Sequence, residues 1–326
     1  MAEVGKLSAS KLTTYEGCSL SYYLRYIKHE KVPSNVRLVF GKDIHYMLER
    51  FYKVNYKSAE SFSKYWKFYW MSSVSGDFLK GKEKKNLQVQ EFKLKDDFIL
   101  KVGDHVNLGP EPVGVFFGYM KLGEDILKRF YNRHIIEKNP NNKKRKPPIF
   151  TEKSFGVKKD EPFYINGHLV RGVLDRVDET NKGDYITDYK TDKSSPGYDS
   201  FVLHRHPQFT IYSYAFRKLF GKEEKEILYY HLRSGKVFTT HRSEKDYDYI
   251  KKVLDKVADG ITNDKFVPFY GFHCNFCDLK PACEKYSIPY HGGPRIDLEG
   301  KIKPANEFND WEAEVPNWME DQAEER

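Results

Sequence analysis

Two short segments place carboxylates and a lysine where they could hold a metal and carry chemistry. In GVLDRVD, residues 172–178, strand alternation sets Val173, Asp175 and Val177 on one face and Leu174, Arg176 and Asp178 on the other. In YITDYK, residues 185–190, Ile186, Asp188 and Lys190 share a face in the same way. Two acids and a lysine at half-buried positions on neighbouring strands are costly unless something compensates them, and a bound divalent cation is an economical answer. The alternative is a structural ion pair of Asp188 with Lys190 at the end of an exposed strand. Asp178, on the opposite face, is expected to tolerate Asn.

A second set is sulfur. FHCNFCDLKPACEKY carries Cys274, Cys277 and Cys283 with gaps of two and five residues, and Cys18 in TTYEGCSLSYY precedes Cys274 by 256 positions. In a reducing compartment this crowding suggests metal ligation more than a disulfide framework. Four thiolates, or three with His273, would make a tetrahedral zinc site, although His273 directly beside Cys274 is an awkward geometry for two ligands on one ion.

These residues need elements to position them. Ser8 or Ser10 suits an N-cap for one or two short helices carrying Cys18. In FGKDIHYMLERFYKV, Ile44, Met47, Leu48 and Phe51 follow helical spacing, with His45 and Glu49 on one flank. Helical patterns also run near Phe62–Trp70 and from about Val113 to His134, with the Lys-rich GKEKKN between them, and NPNNKKRKPP then breaks the pattern as a linker. Strand-like segments follow, punctuated by Asn166-Gly167 and Asn181-Lys182-Gly183, and read as consecutive antiparallel strands. A helix is predicted from Pro207 to about Phe220 with Gly221 as its stop. A hairpin and a further amphipathic helix lead to the cysteines.

Composition bounds the class. The 326 residues include 24 Tyr and 23 Phe but are 31% charged, which reads as a globular chain able to bury a real core. No apolar run nears the roughly 18 residues of a membrane span, and MAEVGKLSAS lacks a signal-peptide layout, so a cytoplasmic location and no membrane partner are expected. The net charge is +8, yet residues 307–326 carry eight acids against one Arg, so the rest holds +15, the difference between +8 and −7. A basic body of that kind suits a polyanion such as nucleic acid.

Taken together, the pattern resembles the PD-(D/E)XK nuclease superfamily, and within it the RecB-type exonuclease branch. The resemblance is carried by GVLDRVD with DYKTDKS, by His45 in FGKDIHYMLE, by Glu152 in FTEKSFGV, and by Gln208 and Tyr212 in QFTIY. Leu174-Asp175 stands where the literal motif has proline-aspartate, a proline that is dispensable in the superfamily. The resemblance implies phosphodiester hydrolysis, with Asp175, Asp188, His45 and the backbone carbonyl of Tyr189 holding Mg²⁺ or Mn²⁺. Lys190 would orient the attacking water or stabilise the transition-state charge, and Glu152, Gln208 and Tyr212 would complete the catalytic set. Cys18, Cys274, Cys277 and Cys283 resemble the ligands of a 4Fe-4S cluster in CRISPR-associated and helicase-nuclease-type exonucleases, with zinc as the alternative.

The expected fold is α/β, a restriction-endonuclease-like mixed sheet flanked by helices, with an N-terminal helical region stapled to the C-terminus by the cluster. The expected organisation is a helical region over residues 1–140, the nuclease core and cysteine motif over 148–290, and an acidic tail over 291–326. The expected function is a metal-dependent DNA exonuclease acting on single strands or duplex ends in replication, recombination or repair. No GxxxxGK[ST] string occurs, so a helicase or recombination factor would be a partner protein. The alternatives are a structure- or sequence-specific endonuclease on the same core, and a nonenzymatic DNA-binding Fe–S subunit of a helicase-nuclease complex.

Overall fold

The computed structural model describes residues 3–32, 34–54, 56–75, 106–107, 112–135, 148–197, 200–286, 295–296 and 302–303. GKEKKN, residues 139–147 of the linker pattern and the acidic tail over 307–326 lie outside the described residues. Residues Met1–Lys280 form one unit and Pro281–Arg326 a second. In the second unit Arg295–Ile296 pairs antiparallel with Ile302–Lys303. No helix among the described residues is long and apolar enough to cross a membrane.

In the first unit the helical N-terminal half comprises α1 (Ala9–Gly17), α2 (Ser19–Tyr22), α3 (Val36–Lys53), α4 (Ala59–Ser75) and α5 (Pro112–Ile135). The Ser8 side chain caps α1 by accepting the Lys11 N–H, as its residue type suggests. Tyr23–Ile27 continue α2 as a π-helical turn, which no propensity in the sequence announces. The second half supplies β1 (Phe150–Phe155), β2 (Gly172–Thr180), β3 (Gly183–Lys190), α6 (Phe201–Arg205), α7 (Pro207–Phe220), β4 (Glu224–His231), β5 (Lys236–Thr240) and α8 (Glu244–Thr262). Pro207 opens α7, and Gly221 closes it in the left-handed conformation at φ 65°. Asn166-Gly167 turns a small hairpin of Tyr164–Ile165 against His168–Leu169.

The sheet order follows the chain from β1 to β5. All neighbours are antiparallel except β3 and β4, which pair in parallel after the crossover through α6 and α7. The fold is therefore a mixed sheet between two helical layers. One core packs Leu174, Val177, Ile186 and Ile227 against Leu12, Ile211, Phe216 and Leu254 of α1, α7 and α8. The other gathers Ile44, Met47, Trp66, Trp70 and Phe130 of α3 to α5 around Tyr189 and Tyr230. Full burial of such side chains contributes roughly 1.5–3 kcal/mol each before the ordering entropy is subtracted.

Helices α4 and α5 are locked by two indole bonds, Trp66 Nε1 to the Met120 carbonyl at 2.7 Å and Trp70 Nε1 to the Phe116 carbonyl at 3.1 Å. A Cβ at residue 123 would lie 2.3 Å from the Trp66 ring, so only glycine admits this approach. At the other end of the unit, the Leu7 N–H donates to the Leu169 carbonyl and the Arg171 N–H to the Leu7 carbonyl, both at 2.8 Å. These bonds pin the N-terminal segment beside the start of β2.

Sandwiching corrects one expectation. Leu174 through Asp178 are all buried, because both faces of β2 are covered. Asp178 therefore does not sit on a tolerant surface. It pairs with the buried Arg176 at 2.7 Å, and Arg176 also reaches the Tyr189 hydroxyl and His134, both at 3.2 Å.

Candidate active site

Asp175 stands where the ladders on both sides of β2 are interrupted. In the β1–β2 register Thr151 faces Arg176 and Lys153 faces Leu174, which places Glu152 across from Asp175 without a ladder pair. Glu152 takes φ 50°, a left-handed conformation that costs a non-glycine residue about 1–3 kcal/mol and tends to persist at functional sites. On the other side the β2–β3 ladder ends at Arg176 and Thr187. Beyond it, the Tyr189 N–H donates to Asp175 Oδ2 at 2.8 Å, so a carboxylate replaces the next rung.

Helix α3 brings His45 to this gap. His45 Nε2–H donates to the Tyr189 carbonyl at 2.9 Å, and Nδ1 lies 3.5 Å from Asp175 Oδ2 and 3.8 Å from Glu152 Oε1. The metal-binding atoms of His45, Glu152 and Asp175 all lie within 4.8 Å of one another. One imidazole, two carboxylates and an adjacent carbonyl form a donor set suited to a hard divalent cation, with bonds of about 2.0–2.6 Å. Beside His45 and Glu152, Gly41, Lys42, Tyr46 and Glu49 complete the lining of a cavity of about 360 Å³.

Asp188 lies next to this group in a separate chain of contacts. Its Oδ1 accepts from Gln208 Nε2 at 2.9 Å, while Lys190 Nζ lies 2.7 Å from Oδ2 and donates to Gln208 Oε1 at 3.0 Å. That buried oxygen has the Lys190 ammonium as its ion-pair partner and no further donor among the described residues. Such an oxygen is what a cation site would supply. Gln208 Nε2 also donates to the Tyr212 hydroxyl at 2.8 Å, so the two residues one turn apart on α7 act as a pair. A Cβ at residue 172 would come within 2.4 Å of Phe155 and 3.2 Å of Tyr212, so glycine there lets α7 approach β2.

The electrostatics follow from burial and crowding. Burial opposes the charged form of Asp175, yet His45, Lys190 and the Tyr189 N–H hold its carboxyl below the usual range. Asp188 is pushed up to about 6 by burial and by Asp175, against the pull of Lys190. Burial likewise raises Glu152, with Asp175 and Glu49 adding to it. His45 is raised well above an ordinary histidine, because Asp175, Glu152 and Asp188 outweigh its burial. Lys190 is raised despite burial by Asp188, Asp175 and Asp192. A crowded anionic pocket held together by one lysine and one histidine is the setting in which a divalent cation is bound.

Thus the expected residues His45, Glu152, Asp175, the Tyr189 carbonyl, Asp188, Lys190, Gln208 and Tyr212 fall into two adjoining networks. The tightest metal-like group contains Glu152, which the resemblance placed in the catalytic set and not among the metal ligands, while Asp188 is turned to Lys190 and Gln208. The ion pair of Asp188 with Lys190 is real and buried. Missed in the sequence was the Tyr189 N–H as partner of Asp175, since no residue type announces a main-chain donor.

The cysteines lie elsewhere in the chain. Cys18 Sγ accepts the Phe269 N–H at 3.5 Å, and Cys274 Sγ donates to the Phe269 carbonyl at 3.8 Å. Arg25 pairs with Asp278 at 2.5 Å and Ser19 bonds the Val267 main chain, so α2 and the π-helical turn after it are clamped to the segment that carries Cys274 and Cys277.

A family model described as the PD-(D/E)XK nuclease superfamily matches residues 6–284. The chain belongs to the PD-(D/E)XK nuclease superfamily. Its mixed α/β sheet flanked by helices accords with that membership. PD-(D/E)XK nucleases use divalent metals, and the His45, Glu152 and Asp175 group offers donors for one. No curated protein matches this PD-(D/E)XK chain. Among solved structures, the crystal structure of SSO0001 aligns at 16% identity and a TM-score of 0.27, covering 41% of this chain and 59% of that one. The aligned part thus spans less than two thirds of that structure's length.

Proposed function

We propose that this PD-(D/E)XK chain is a divalent-metal-dependent DNA exonuclease of the RecB type, acting in the cytoplasm on single strands or duplex ends in replication, recombination or repair. The observation that carries this reading is the gathering of His45, Glu152 and Asp175, with His45 and Asp175 also held by the main chain of Tyr189. Asp175, Asp188, His45 and the Tyr189 carbonyl would hold Mg²⁺ or Mn²⁺, with Glu152 in reach. When bound, the ion would polarise the scissile phosphate and lower the pKa of a water.

The other residues act around that centre. Lys190 keeps a positive charge beside Asp188 and stabilises the extra negative charge of the pentacoordinate transition state. Gln208 fixes Lys190 through its carbonyl and Asp188 through its amide. The Tyr212 hydroxyl accepts from Gln208 and would offer its own proton to a phosphate oxygen.

Cys18, Cys274, Cys277 and Cys283 would hold a 4Fe-4S cluster that joins the N-terminal helices to the C-terminal motif. The approach of Cys18 and Cys274 to one residue, Phe269, supports this, and zinc is the less favoured occupant. The division into a helical region over 1–140, a core with its cysteine motif over 148–290 and a tail over 291–326 fits the same reading. A helicase or recombination factor would be a separate partner.

The test is metal-dependent release of nucleotides from end-labelled linear single-stranded DNA, with circular strands and an Asp188→Ala variant as controls. Cleavage of linear but not circular strands, lost in the variant, is expected. Equal cutting of circles would overturn exonuclease action, and retained cleavage in the variant would overturn the assignment of the site.

A further inference from the structure

A cavity of about 520 Å³ opens beside the candidate active site. Its walls are Ser8, Ser10 and Thr13 at the start of α1, Arg171 leading into β2, and His206, Gln208 and Tyr212 at the start of α7. Gln208 and Tyr212 belong to both places, because Gln208 also binds Asp188 and Lys190. Whatever occupies the cavity is therefore one side chain away from the reacting phosphate of the nuclease reading, on which this inference rests.

The opposite wall gathers positive charge without a counter-charge. Arg171 is exposed, its main chain is anchored to Leu7, and among the described residues no carboxylate pairs with it. Lys6 and Lys11 spend their ammonium protons on main-chain carbonyls, of Val157 at 2.6 Å and of Lys6 at 2.9 Å, and so bring no anion to this wall. Burial first, and the nearby charge of Arg171 second, lower the Lys11 pKa. His206 Nδ1 accepts the Gln208 N–H at 3.2 Å, which leaves Nε2 as its remaining polar atom. Hydroxyls, an unpaired guanidinium and an imidazole around a space of nucleotide size are the groups that bind a phosphodiester.

We propose that this cavity seats the nucleotide next to the scissile linkage of a polynucleotide strand, with Arg171 holding its phosphate. The strand then runs from the metal group past Gln208 and Tyr212 to Arg171. The cavity takes sugar and phosphate, with the hydroxyls of Ser8, Ser10 and Thr13 and the Arg171 guanidinium around them.

Binding, read separately from cleavage, tests this. A fluorescent single-stranded oligonucleotide is titrated with the full chain at low salt, with Ca²⁺ in place of Mg²⁺, using wild type, Arg171→Gln and Arg171→Lys. A parallel series replaces one linkage at a time by an uncharged methylphosphonate. Arg171→Gln is expected to weaken binding about tenfold, Arg171→Lys to recover most of it, and the thermal midpoint to stay unchanged because the side chain is exposed. At one or two linkages near the end that is cut, the methylphosphonate should weaken wild type but cost Arg171→Gln nothing more. Additive losses at every linkage, equal affinity of wild type and Arg171→Gln, or no binding by wild type would overturn the proposal. Loss of cleavage alone, with the linkage-specific pattern intact, would count against the nuclease reading and leave the phosphate seat standing.

Discussion

The carboxylate of Asp175 accepts the main-chain N–H of Tyr189 at 2.8 Å, one step beyond the last ladder pair of β2 with β3. The same residue presents its carbonyl to His45 at 2.9 Å. Asp175 thus holds the two strands together and, on the proposed reading, would have a second and separable job, offering charge to a metal.

Asparagine separates them. Asp175→Asn keeps an acceptor for the Tyr189 N–H and should retain a near-native thermal midpoint while cleavage falls by at least about a hundredfold. Asp175→Ala should lose the same activity and a further 1–3 kcal/mol or so of stability, because a buried N–H is left without a partner. Asp188→Ala and Lys190→Ala should also abolish cleavage yet keep most strand binding, which distributed Lys and Arg supply. Rate assays with Mg²⁺ or Mn²⁺, alongside denaturant titrations, distinguish these outcomes, and cleavage by Asp175→Asn near the wild-type rate would misplace the metal.

Asp178→Asn should be costly although the position is remote from the metal group. Arg176 is buried, and its main compensation is the 2.7 Å pair with Asp178. Removing one partner of such a pair costs roughly 3–5 kcal/mol, less whatever the amide oxygen recovers. Urea denaturation should show the loss, and a change under about 0.5 kcal/mol would mean that Tyr189, His134 and the Tyr52 ring carry the guanidinium alone.

Asp43 on α3 gives stability a pH dependence. Burial pushes its carboxyl up to about 6, against a side-chain bond from Ser73, and among the described residues its Oδ2 has no hydrogen-bond partner. In the unfolded chain it ionises near 3.9. Between about pH 4 and 6 the folded state keeps a proton that the unfolded state has released, so stability falls as pH rises, by up to about 3 kcal/mol. Asp188, also pushed up to about 6, contributes in the same direction. The difference between wild type and Asp43→Asn isolates the term: the variant should be more stable at pH 8 and nearly equal at pH 4. An equal offset at both values would assign the effect to packing.

Cys18→Ser should bleach the protein if a four-thiolate cluster joins the chain ends, since the C-terminal motif supplies only three cysteines. Closing so long a loop restrains the unfolded chain by a few kcal/mol in the entropic account, so the thermal midpoint should fall with the colour. Asp188→Ala should leave both nearly unchanged. Anaerobic preparations with stoichiometric zinc and no iron would replace the cluster with zinc, and full iron in Cys18→Ser would remove the staple.

Much of this arrangement was legible before any coordinates. Alternation placed Asp188 and Lys190 on one face, helical spacing placed His45 on a flank of α3, and Pro207 with Gly221 bounded α7. What alternation could not say is how many faces of β2 are covered. A strand buried on both sides hides its second face behind helices that come from far away in sequence, so Asp178 read as surface. Nor does any residue type predict a glutamate at positive φ, or a ladder broken so that a side chain bonds a main-chain N–H. The cavity at Arg171 was illegible for the same reason, because its walls come from residues near 8, 171 and 206 that the bridge of Leu7 with Val170 and the packing of α7 on α1 and β2 draw together.

The parallel pairing of β3 with β4 bears on the timing of activity. Antiparallel neighbours can zip from a local turn, but a parallel neighbour must wait for its crossover, and non-local pairings of this kind are slow to form. Asp175 and Asp188 leave the ribosome before Gln208, which orients Lys190, and before β4, which flanks β3 on its open side. On the proposed nuclease reading, folding order would act as a safety catch: a partly synthesised chain would carry its carboxylates without Gln208 to hold Lys190.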